Sequence, residues 1–89
     1  MKNLEVYFGQ NVRDTRKKQQ ISQENLALIA GIDRSYMSRV ERGIVSITLQ
    51  KAYVIAQALQ CDVKDLLPTM EQLSSSNKDP YNVLKSHTE

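Results

Sequence analysis

Cysteine and histidine are nearly missing from this chain. Cys61 stands alone, so no disulfide can close within the molecule, and the one histidine, His87, lies in the tail, leaving no metal-ligand cluster. The same scarcity leaves no nucleophile with a base beside it. The three glycines are scattered, so there is no Gly-rich loop to cradle a phosphate. An enzyme is therefore not expected, and no cofactor is implied. Long apolar runs are absent as well: nothing approaches the roughly 20 residues of a membrane span. The N-terminus MKNLEVYF lacks the charged and apolar blocks of a signal peptide, so the expected location is cytoplasmic, with no membrane partner.

Charge of one sign is also in short supply. The net charge is +2, yet it is unevenly spread: residues 1–61 hold nine Lys or Arg against five Asp or Glu, and residues 62–89 hold three against five. That imbalance fits an electrostatic footprint on nucleic acid and equally a mildly basic globular protein. Eighty-nine residues make one domain with a small core. Such domains are marginal without a disulfide, a metal or a partner subunit, and here only the partner remains.

What is present is concentrated in Gln23–Gly43, QENLALIAGIDRSYMSRVERG. Apolar residues at Leu26, Ala27, Ala30, Ile32, Met37 and Val40 place one apolar face on each of two short helices and one apolar residue in the turn between them. Ser22 caps the first helix, with Ile21 and Leu26 positioned as a hydrophobic staple. Gly31 stands where that helix must end in a left-handed residue, and Asp33 caps the second helix, which runs over 34–42 to Gly43. Its outward face carries Arg34, Ser35, Tyr36, Ser38, Arg39 and Arg42, suited to a wall of acceptors and negative charge.

Gln23, Ala27, Gly31, Ile32, Met37, Ser38, Val40 and Glu41 together resemble the helix-turn-helix of the Xre/Cro, lambda repressor-like DNA-binding family. The small Ala27, the turn Gly31 and the Ser-x-x-Glu-x-Gly run ending at Gly43 make the match specific, and it covers roughly residues 6–68. The resemblance implies an all-α, compact five-helix domain. Within the family, the single-domain form and the IDRSYMSRVERG run look most like the small controller proteins of restriction-modification systems.

The rest of the chain fits that frame. Residues 4–19 read as a first helix with Leu4, Phe8 and Val12 on its core side and a basic run, Arg13, Arg16, Lys17 and Lys18, near its end. Gly9 should weaken its first turns. After a loop over 44–47, Thr48 caps a helix over 49–60 whose inward residues are Leu49, Ala52, Ile55, Ala56 and Leu59. Similar proteins often carry Lys, Arg or Asn in that loop; this chain has Ile44, Val45, Ser46 and Ile47. Cys61 reads as a small buried hydrophobe. Asp62 caps a fifth helix over 63–67, stopped by Pro68, with Met70 and Leu73 able to add a turn or two. From Ser74 a serine-rich, apolar-poor composition reads as a flexible tail over 74–89, after a domain over 1–73.

The resemblance assigns roles residue by residue. Arg34, Ser35 and Arg39 match positions that read bases, with Tyr36 beside them. Gln23, Arg42 and Thr48 fall where phosphates are held, with Lys17 and Lys18 as longer-range attraction. Arg16 matches a partner of the Glu matched by Glu41, which makes both structural, like Gly31 and Ala27. Leu66, Leu67 and Met70, in the region 62–73, are candidates for a homodimer interface. The implied function is a regulator that binds double-stranded, near-palindromic DNA as a homodimer. The alternative is an interaction module such as an antitoxin, gripping a protein partner through Tyr81, Val83 and Leu84 of the tail, with DNA binding secondary.

Overall fold

A computed structural model describes residues 3–75. Its elements are α1 (Asn3–Lys18), α2 (Gln23–Ala30), α3 (Arg34–Glu41), α4 (Leu49–Ala58), a 3-10 turn (Val63–Leu66) and α5 (Met70–Ser75). No strand occurs among the described residues. The architecture is the all-α arrangement of short helices that the periodicity predicts. Residues 76–89, with Tyr81, Val83 and Leu84, lie outside the described residues.

Local chemistry starts and stops these helices. The side chains of Ser22, Asp33 and Thr48 accept from the amides of Asn25, Ser35 and Lys51 at 3.0, 3.1 and 3.1 Å, satisfying donors at the helix starts. All of α1 to α4 end alike. A left-handed residue, in turn Gln20, Gly31, Gly43 and Gln60, follows each helix. The next residue's amide reaches back five positions: Ile21 to the Arg16 carbonyl, Ile32 to Ala27, Ile44 to Arg39 and Cys61 to Ala56, at 2.9–3.2 Å. Ile21, Ile32 and Cys61 then pack against the core.

The core is Phe8 and Val12 of α1, Leu26 and Ala27 of α2, Met37 and Val40 of α3, Ala52, Ile55 and Ala56 of α4, then Leu59 and Leu66. Leu49, expected to face inward, is 75% exposed. It is the first residue of α4, and a helical side chain leans toward the N-terminus, here past the end of the core. Leu4 is partly exposed for the same end-of-helix reason. Gly9 is a packing residue and not simply a weak point. A Cβ there would lie 2.2 Å from the Val40 carbonyl oxygen and 2.9 Å from that of Glu41, so α1 crosses the end of α3 at backbone distance.

The expected fifth helix is a 3-10 turn, and the chain restarts as α5 beyond Pro68. Thr69 and Gln72 explain the restart: the Thr69 hydroxyl accepts from the Gln72 amide at 3.0 Å and the Gln72 side chain accepts from the Thr69 amide at 2.9 Å. This reciprocal cap carries α5 through Ser74 and Ser75, past the point where composition placed the start of the tail. Leu66 is fully buried and so does not belong to a dimer surface. The Asn11 side chain donates to the Leu66 carbonyl at 3.1 Å, drawing the turn onto α1.

Candidate nucleic-acid interface

The turn between α2 and α3 aims the second helix outward. Asp33 fixes the start of α3, accepting from the Ser35 amide and from the Ser35 hydroxyl. These bonds, the Ser35 hydroxyl first, hold the Asp33 carboxyl below the usual range, which keeps an anion at the positive end of the helix. Ser35 therefore has its hydroxyl hydrogen committed and offers only lone pairs outward. Met37, Val40 and Glu41 face inward, while Arg34, Ser35, Arg39 and Arg42 are exposed.

Gln23, from the start of α2, joins them. It lines one shallow concavity together with Arg34, Ser35, Ser38, Arg39, Arg42 and the capping carboxylate of Asp33. Three guanidinium groups and an amide thus converge on one surface. Lys17 and Lys18, in the last turn of α1, are exposed but do not line it. Thr48 borders a neighbouring concavity with Tyr36 and Lys51, its hydroxyl oxygen accepting the cap bond.

A buried clamp holds this surface in place. Arg16 donates through Nε and Nη2 to the two carboxylate oxygens of Glu41 at 2.7 and 3.0 Å, and through Nη1 to the Ile21 carbonyl at 2.9 Å. Gln23 Nε2 donates to the same Glu41 carboxylate at 3.1 Å. One carboxylate at the end of α3 therefore ties together α1, the loop after it and the start of α2. Gln23, assigned to phosphate, has one amide hydrogen turned inward and a second left to face outward.

Tyr36 is half-buried against the core rather than projecting from α3. The Arg39 guanidinium lies 5.7 Å from its ring centroid and the Lys51 ammonium 5.6 Å. Lys51 is a residue that sequence reasoning missed. Its position three after the cap Thr48, in the first turn of α4, was the available signal.

The profile of the family described as "Helix-turn-helix" matches residues 12–66. This chain belongs to the helix-turn-helix family. Among curated relatives of this helix-turn-helix protein, "Control protein C.BamHI" of Bacillus amyloliquefaciens is 41% identical over 66 residues, covering 73% of this chain and 82% of that one. Among solved structures, the restriction-modification controller protein C.AhdI from Aeromonas hydrophila is 40% identical with a TM-score of 0.68, over 70% of this chain and 94% of that one. The P22 c2 repressor, solved in complex with a synthetic operator, is 30% identical with a TM-score of 0.62, over 67% of this chain and 91% of that one.

The other surfaces of the helix-turn-helix domain are quieter. Leu67 and Met70 are 40% and 62% exposed, on either side of Pro68. Cys61 is half-buried, and burial first, then the nearby Asp65 and Asp62, push its thiol up, away from the reactive thiolate. No cluster of three or more His, Cys, Asp or Glu that could hold a metal occurs among the described residues. No described helix is long and apolar enough to cross a membrane.

Proposed function

We propose that this chain is a transcriptional regulator that binds an operator of two inverted half-sites as a homodimer, with α3 in the major groove. The observation that carries this reading is the face of α3: Arg34, Arg39 and Arg42 converge with Gln23, while the opposite face is buried and anchored through Glu41. Arg34 and Arg39 read guanine by bidentate contacts to O6 and N7, each contributing roughly 1 to 3 kcal/mol of discrimination. Gln23 directs its free amide hydrogen at a phosphate, and Arg42 contacts the backbone at the far end of the helix.

One copy offers too few base contacts for the nanomolar range of specific regulators. Leu67 and Met70 supply the exposed apolar surface for a two-fold dimer, which sets the half-sites about one helical turn, roughly 34 Å, apart. The likeness to C.BamHI and C.AhdI supports control of a restriction-modification system as the setting. Selection of bound duplexes from a random library by the purified protein, at fixed near-physiological salt, tests the reading. Enrichment of an inverted repeat is expected. A folded protein that enriches no sequence would refute it.

A further inference from the structure

We propose that Lys51 is a backbone-phosphate contact of this regulator, and that Tyr36 is the positioning residue that holds Lys51 and Arg39 at their places on the DNA-facing surface. The inference rests on the DNA-binding reading above and adds two roles to it. Tyr36, placed among the base readers by resemblance, becomes a support for them.

The first observation is a deficit. The connection from α3 to α4, Ile44-Val45-Ser46-Ile47, carries no cation, and Lys51 is the one Lys or Arg between Arg42 and Lys64. A helix seated in the major groove runs between two phosphate backbones, so it needs anion-seeking groups on both flanks. Gln23 serves the α2 flank from within the concavity of the arginines. On the α4 flank the neighbouring concavity holds Thr48, whose hydroxyl oxygen accepts the cap bond and whose hydrogen is left to donate, and the exposed Lys51, which brings the one charge to it.

The second observation is how Lys51 is held. Its ammonium lies 5.6 Å from the Tyr36 ring centroid, and the Arg39 guanidinium lies 5.7 Å from the same centroid. The ring is packed against the core, so it cannot follow a wandering side chain; the cations settle on it. Neither Arg39 nor Lys51 makes a salt bridge among the described residues, where the one ion pair is Arg16 with Glu41. Asp33 attracts Arg39 from the start of α3 but is itself held by its Ser35 bonds, and Lys51 has no carboxylate partner among the described residues, so the two cations gathered on one fixed ring form a surface that a phosphate completes. The 3.6-residue period places Tyr36 on the flank of α3 next to Arg39, and Lys51 reaches the same ring from the first turn of α4. The same ring therefore aligns a base reader on one side and a backbone contact on the other.

Affinity for the selected operator and for an unrelated duplex, measured over a salt series for the wild type, Lys51→Gln, Lys51→Arg and Tyr36→Leu, tests the proposal. Lys51→Gln should weaken both duplexes by the same factor and reduce the slope of log K against log salt by about 0.9, one phosphate contact. Lys51→Arg should keep the slope. Tyr36→Leu should lower the slope and relax the base pair read by Arg39, and adding Lys51→Gln to it should lower the slope no further. A wild-type slope in Lys51→Gln, or a loss confined to the operator, would overturn the phosphate contact. Tyr36→Leu that leaves slope and base preference unchanged would overturn the positioning role. A wild type that binds neither duplex would instead sink the DNA-binding reading itself.

Discussion

Removing Arg16 should be the most damaging single change to the clamp, and the structure says why. Arg16→Met deletes two charged hydrogen bonds, at 2.7 and 3.0 Å, and leaves a Glu41 carboxylate whose side chain is only 3% exposed. Gln23 at 3.1 Å remains, but one neutral donor does not replace the water that a carboxylate surrenders. Breaking a buried pair from one side typically destabilises by about 3 to 5 kcal/mol. Glu41→Gln is milder, about 1 to 3 kcal/mol, because Arg16 is 12% exposed, keeps the Ile21 carbonyl and reaches water. The double variant Arg16→Met with Glu41→Leu removes both charges and should recover most of the loss, since apolar pairs often match buried ion pairs. Each kcal/mol moves the thermal midpoint of a domain this size by about 4 to 8 °C, so Arg16→Met should fall by about 12 °C or more. Urea and thermal unfolding followed by circular dichroism give all three values. A double variant less stable than Arg16→Met alone, or an Arg16→Met loss below about 1 kcal/mol, would refute the reasoning.

Two glycines make opposite cases. Gly9→Ala should destabilise by about 1 to 3 kcal/mol or more, because its Cβ meets backbone carbonyls that cannot rotate away. Gly31→Ala, with open space around its Cβ and φ of 68°, should lose only the left-handed penalty of about 1 to 2 kcal/mol; a larger loss at Gly31 than at Gly9 in thermal melts would contradict this. Arg34→Ala should keep the fold, weaken operator binding by roughly 1 to 3 kcal/mol and relax one base pair, as competition against point-substituted operators would show. Leu67→Asp should raise the dimer dissociation constant in sedimentation and keep a folded monomer, whereas Leu66→Asp, at a fully buried site, should unfold the domain. Asp33 has a folded pKa below its ordinary value, so the stability it lends is full above the ordinary Asp range and disappears as pH falls through the folded value. The stability gap between wild type and Asp33→Ala should accordingly close in acid, and a gap that widens there would be inconsistent with the cap.

Much of the scaffold was legible residue by residue. Ser22, Asp33 and Thr48 announce helix starts because capping is a bond between a side chain and an amide two or three residues on. Gly31 and Gly43 announce helix ends because the left-handed conformation is costly to other residues, and the spacing of Leu26, Met37, Val40, Ile55 and Leu59 follows the helical period. The Thr69 and Gln72 cap is equally local, and Met70 and Leu73, the residues able to add a turn beyond Pro68, fall in the helix it starts. Gln20 and Gln60 were not legible: nothing in glutamine favours a left-handed residue, and only the packing of Ile21 and Cys61 beyond them imposes it.

By itself, then, the sequence determined where helices begin and end, which stripe of each is apolar, and that a cation-rich helix follows a tight turn, since all of these depend on neighbours within about four positions. Tertiary structure alone decided that Gly9 is a contact with the carbonyls of α3, and that Leu66 closes the core while Leu67 stays open. It also decided that Gln23 shares the Glu41 carboxylate with Arg16, and that Tyr36 brings Lys51 beside Arg39. These meetings join residues 12 to 32 positions apart or split neighbours by the side of the helix they fall on. Periodicity says which face a residue occupies, but what that face meets depends on how the helices cross.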